Sequence, residues 1–237
     1  FVDTPTDCPQ RDERMGWTGD AQVFCPTAVM NADCDAFYRK YLYDLAVEQK
    51  HEGFVPVVIP FILRGTGHWE LPTTAWGDAA TLMPWYLYLY YGDRAILENQ
   101  YESMKAWVEY MRSQDTEGKN LYGGFHIGDW VAQDTRDPDN FFGLTPTGLL
   151  ATAYYALSTE VLSKAAVVTD HPADAVEYAL LAENHMGISH CPAPTMLGGS
   201  EILDIPGMRK AGIPISLGVD GCATNDGSNM LDTLRLA

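Results

Sequence analysis

Positive charge is scarce in this chain of 237 residues, where 15 lysines and arginines stand against 32 aspartates and glutamates for a formal net charge of −17. A field of that sign repels phosphates, so neither nucleic acid nor an anionic membrane is an expected partner. Paired cysteines are lacking as well. Cys8, Cys25, Cys34, Cys191 and Cys222 form no CxxC motif and no Cys/His cluster, which argues against a disulfide framework. Their odd number mildly favours a reducing compartment, the cytoplasm. No HxH occurs anywhere. No apolar run reaches the roughly 18 residues that a membrane span needs. The chain opens on Phe-Val-Asp rather than Met, with no signal-like segment, and is expected to be a piece of a longer protein.

What is present is a globular composition, 46% hydrophobic and 11% aromatic, enough for one domain or one and a half. From Asp20 to about Glu183 the pattern is helix after helix. Ile96, Leu97, Tyr101, Met104, Trp107, Val108 and Met111 recur at helical spacing. Leu149, Leu150, Ala153, Tyr154, Leu157, Val161 and Leu162 do the same, with Pro146 placed just inside the start of their helix. Residues 74–91 are apolar nearly all round, which predicts a helix buried on most sides; residues 174–183 close the series. The connections 65–72, 121–130 and 134–143 are rich in Gly, Pro and Asp. The first is at the top of the roughly 2–8 residues usual in simple bundles and the other two exceed it, which favours an α/α toroid whose loops gather into a site.

After about His185 the texture changes. GISHCPAPTM and IPISLGVDG read as short strands, 205–211 as weakly helical and 225–237 as a further helix. That order predicts a parallel β/α unit, foreign to an α/α toroid. The fold expected is mainly α: an incomplete (α/α)6 toroid over 1–184, then a short β/α segment over 185–237 like the end of a TIM-type barrel.

Chemistry concentrates in DCPQRDERMGWTGDA, residues 7–21, where Asp7, Asp12, Glu13 and Asp20 crowd beside Arg11, Arg14 and Trp17. Crowded carboxylates raise one another's pKa and keep one protonated as an acid, while the arginines hold others ionised. Tryptophan offers a flat face to the C–H surface of a sugar, and carboxylates accept its hydroxyl protons. AWGDA (75–79) and GDW (128–130) repeat tryptophan, glycine and aspartate in two further loops. An ion-pair network tying a loop to a helix is the competing explanation.

DCPQRDERMGWTGDAQVF resembles the signature of glycoside hydrolase family 78, the α-L-rhamnosidases. FVPVVIP, ELPTTAWGDAATLMPWYLYLYYGD, GDW and TPTGLLATAYYALSTEVL follow in that family's order across about residues 1–184. The resemblance implies a bacterial (α/α)6 toroid that cleaves terminal α-L-rhamnose by inversion without a cofactor. By the same resemblance Glu13 matches the general acid, with Asp12 its rival for that role or a substrate contact. Asp7 and Asp20 match acids that hold rhamnose hydroxyls. Trp17, Trp76 and Trp130 match tryptophans that line the sugar pocket, and Asp129 matches a further contact. Trp69, Trp85 and Trp107 are assigned to packing. Inversion needs a second carboxylate about 6.5–9.5 Å from the acid. In the family it lies downstream of the matching stretch, so rhamnose recognition with little turnover is expected, together with self-association through uncovered helix faces.

The tail motifs HCPAPTMLGGSEI, AGIPISLGVDG and ATNDGSNML are similar to the last barrel strands of amidohydrolases, the branch of guanine, 8-oxoguanine and chlorotriazine hydrolases. There the aspartate of GVDG, here Asp220, ligates or faces a catalytic divalent metal, usually zinc. His190 sits in the recurrent HCP and takes no ligand role. One aspartate does not make a zinc site, so zinc is expected only with an intact amidohydrolase site. The alternatives to a rhamnosidase are therefore a metal-dependent aminohydrolase and a non-catalytic rhamnose-binding fragment.

Overall fold

The computed structural model describes residues 15–116, 118, 121–130, 143–185, 188–190 and 215–217. The chain divides into two compact units, Phe1–His185 and Met186–Ala237.

Among the described residues the first unit holds six helices: α1 (Thr18–Asn31), α2 (Asp35–Glu52), α3 (Ala79–Tyr91), α4 (Arg94–Ser113), α5 (Thr147–Val168) and α6 (Pro172–His185). Charge separates them into two rows. Among Asp, Glu, Lys and Arg, α1 carries only Asp20, α3 none, and α5 only Glu160 and Lys164. By contrast α2 and α4 alternate acids and bases on one side with a buried stripe on the other. Burial follows that division: α3 packs against both α1 and α5, and α4 lies against α2, α3 and α5. Taken in sequence order the helices make three pairs, each joining a weakly charged helix to a more charged one.

The core contains Tyr38, Tyr41, Met83, Leu87, Trp107 and Tyr155, each essentially without exposure. Polar links tie the outer helices across it. Gln49 donates to the Ser103 carbonyl at 3.1 Å and accepts the Ser103 hydroxyl at 2.5 Å. Asp174 of α6 accepts from Tyr101 and Lys105 of α4 at 2.7 and 2.8 Å. Gly53 and Gly92 end α2 and α3 in the left-handed conformation, the backbone that glycine adopts at least cost.

Two expectations shift. Residues 74–78 form an irregular turn and α3 begins only at Ala79; Ala75 is left-handed at φ 70°, because Asp78 takes its amide. Pro146 stands at the N-cap of α5 rather than inside the helix, where its missing amide hydrogen again costs nothing.

In the second unit β1 (Ile188–His190) pairs in parallel with β2 (Ile215–Leu217), Ile188 opposite Ile215. The expected helices at 205–211 and 225–237 lie outside the described residues. No helix among the described residues is long and apolar enough to cross a membrane.

Candidate active site

The site is built by long-range backbone pairing. Gly16 and Thr18 pair with the FVPVVIP stretch: Thr18 donates its amide to the Val57 carbonyl and Ile59 donates to that of Gly16, both at 2.9 Å. Thr18 Oγ1 adds a bond to Val57 O at 3.1 Å, and Tyr41 Oη donates to Gly16 O at 3.1 Å. Trp17 is thereby fixed, half-buried, at the start of α1. Asp20 follows in the first turn of the same helix, on an exposed position where the helix dipole favours an anion.

Trp69 meets Trp17 edge-to-face at 6.2 Å between centroids, and Trp130 meets Trp69 edge-to-face at 5.3 Å. Three segments, around 17, 65–72 and 121–130, therefore converge on one aromatic chain. Trp69, assigned from sequence to packing, is 38% exposed and packs against both of the other rings. The cue available in sequence was its place in a glycine-rich connection. Trp107, in contrast, is fully buried, and Trp85 packs against the core.

Trp76 reaches the same neighbourhood from the α3 side, its ring so close to Gly19 that a Cβ there would stand 3.0 Å from it. Ile127 donates its amide to Thr73 Oγ1 at 3.2 Å, docking the loop of Asp129 and Trp130 onto that of Trp76. Both Asp129 and Trp130 are exposed. The indole N–H of Trp76, the Thr74 hydroxyl and Nε2 of His126 are buried without a hydrogen-bond partner among the described residues. Asp7, Asp12, Glu13 and Asp220 lie outside the described residues. Among those described, no group of three or more His, Cys, Asp or Glu could hold a metal ion.

Beneath the loops sits a fully buried carboxylate that the sequence reading passed over. Burial pushes Asp78 from 3.8 up to about 6, while hydrogen bonds from Ser158, Trp107 and the Ala75 amide oppose that rise. Its contribution to stability is fully present below pH 3.8 and lost as the pH rises through about 6. His126 behaves in the opposite sense. Its Nδ1 accepts the Gly128 amide at 2.5 Å, and burial lowers its pKa from 6.5 to about 4. The stability that a neutral His126 brings is present above pH 6.5 and lost as the pH falls through about 4. On going from neutral pH to about pH 4.5, the Tm of the wild type should therefore drop further than that of His126→Gln. Parallel Tm curves for the two proteins would remove His126 as a source of acid sensitivity.

The class to which helices and tryptophan-bearing loops of this kind belong is given by comparison: the six-hairpin glycosidases. Residues 1–188 match the family model described as the bacterial α-L-rhamnosidase six-hairpin glycosidase domain, and the chain belongs to that family. It is similar to the α-L-rhamnosidase of Alteromonas sp. (strain LOR), 40% identical over 181 residues, or 75% of this chain and 19% of that protein. Among solved structures it resembles the Streptomyces avermitilis α-L-rhamnosidase complexed with L-rhamnose. That likeness has a TM-score of 0.68 at 32% identity, and covers 81% of this chain and 18% of the other. The chain thus spans about a fifth of the length of the rhamnosidases it matches. Short segments also match amidohydrolase-type deaminases. The hydroxydechloroatrazine ethylaminohydrolase of Pseudomonas sp. (strain ADP) is 49% identical over 63 residues, 27% of this chain and 13% of that enzyme.

Proposed function

We propose that this chain carries the sugar-recognition face and the general acid of an inverting α-L-rhamnosidase. The observation that carries the reading is the convergence of Trp17, Trp69 and Trp130 from three separate segments, with Trp76 brought in beside Gly19. Aromatic faces at right angles make an apolar corner for the C–H side of a ring such as the terminal rhamnose of a glycoside. In this reading Glu13 protonates the leaving oxygen, with Asp12 beside it in the acid loop. Asp7, Asp20 and Asp129 accept hydroxyl protons around the sugar. In the family the general base lies downstream of the matching stretch, so binding of rhamnose is the property by which this reading is tested.

The domain reading goes with it: a partial toroid over 1–184, and over 185–237 a segment of amidohydrolase type in which Asp220 occupies the metal-facing position. The division of the chain at His185 and Met186 and the presence of two unrelated sets of relatives support that boundary.

Calorimetric titration of the chain with L-rhamnose tests both. Saturable binding is expected, weakened about tenfold (about 1.4 kcal/mol) by Trp17→Ala. Absence of saturable binding sinks the rhamnose reading. Zinc-dependent release of amine from a hydroxylated triazine by the same sample would transfer the function to the tail.

A further inference from the structure

Three helices and one loop converge on a single side chain. Asp78, wholly buried at the N-cap of α3, uses Oδ1 to accept the indole N–H of Trp107 from α4 at 3.0 Å. The same oxygen accepts the hydroxyl of Ser158 from α5. Ser158 is in turn held by Thr81 Oγ1 at 2.6 Å. The other oxygen, Oδ2, accepts the amide of Ala75 at 2.6 Å. All these partners are neutral donors. A carboxylate buried with neutral partners is costly to keep, so what its oxygens hold in place is informative.

What they hold is one turn. Ala75 adopts φ 70°, a conformation with a steric cost for any residue bearing a Cβ. Its amide is pinned by Asp78. Its carbonyl is pinned from the opposite side by Gln22 of α1, whose Nε2 donates at 2.7 Å. Gln22 is itself nearly inaccessible. The next residue is Trp76, whose ring lies over Gly19, two positions from Trp17 and one from Asp20. With the amide and carbonyl of Ala75 held, and the next peptide held by the bonds from Gly77 N to Thr73 O at 3.0 Å and from Ala79 N to Trp76 O at 3.1 Å, the Cα–Cβ direction of Trp76 is fixed.

We propose that Asp78 and Gln22 are positioning residues: acting through the backbone of Ala75, they set the Trp76 ring against the start of α1 and so fix one wall of the sugar pocket. The proposal rests on the reading that Trp76 lines that pocket. Neither residue touches sugar in it. Asp78→Asn keeps an acceptor for Trp107 and Ser158 but turns a donor toward the Ala75 amide. Gln22→Leu releases the carbonyl.

The test uses the full chain labelled with 5-fluorotryptophan. The Trp76 fluorine resonance is identified by its loss in Trp76→Phe. Either variant should shift or split that resonance and raise the L-rhamnose Kd about tenfold, with the helical circular dichroism retained. A purely structural role would lower Tm alone. An unmoved Trp76 resonance in a folded Asp78→Asn or Gln22→Leu protein overturns the proposal, and if Asp78→Asn does not fold, Gln22→Leu decides. If the wild type binds no L-rhamnose, the pocket reading fails, while the fluorine measurement still decides whether the two residues place the ring.

Discussion

Replacing Trp107 with alanine should destabilise the protein by about 4 kcal/mol, near the upper end for large-to-small changes in a core. The indole is fully buried, lies nearly parallel to Tyr110 at 5.4 Å between centroids, and covers Gly77 closely. Its removal opens a cavity that α3 and α4 cannot close without moving their other contacts. It also withdraws a donor from Asp78, leaving a buried carboxylate less satisfied, which adds to the loss. Against a total stability of about 5–15 kcal/mol for ordinary domains, such a loss removes between about a quarter and about four fifths of the margin. Urea denaturation followed by circular dichroism would show the midpoint falling with the slope unchanged. A loss under about 1.5 kcal/mol would mean the space is refilled and Trp107 is not central to the core.

Gly77→Ala should cost about 2–3 kcal/mol by overpacking. A Cβ at that position would stand 2.3 Å from two atoms of the Trp107 six-membered ring, closer than any real contact. The obstacle is a rigid ring locked by a hydrogen bond at its far edge, so it cannot simply swing aside. The two sites are therefore coupled. Trp107→Phe, which removes bulk where the methyl group must go, should make Gly77→Ala cheaper than it is in the wild type. Additive losses in the double mutant would show that the clash is relieved elsewhere, by movement of the 73–78 backbone.

Both predictions concern a region where sequence and structure part company. The amphipathic stripe at 96–111 reads directly as α4, and the pattern at 149–168 as α5, because three- and four-residue spacing is a local property of one helix. The helical character of the first unit and its membership of the rhamnosidase family were legible for the same reason: long motifs in a fixed order. The turn at 74–78 was not. Its apolar run continues smoothly into α3, whereas its shape comes from donors 29 and 80 residues away, on Trp107 and Ser158. Asp78 was seen only as part of a tryptophan motif, since nothing local marks an aspartate as the hub of three helices. The ring partners of Trp69 were not legible either, because an aromatic in a connection has no visible partner until Trp17 and Trp130 are brought to it.

The chain of rings from Trp17 through Trp69 to Trp130 also has an optical side. Indoles set edge-to-face at such short range couple their electronic transitions, so the three do not absorb as independent chromophores. Their shared transition carries rotational strength that depends on the angles between rings, and hence on the mutual docking of three segments far apart in sequence. The rim of the candidate pocket thus contains an intrinsic chiroptical signal, in which a change of loop arrangement is recorded as a change in band shape without any added label.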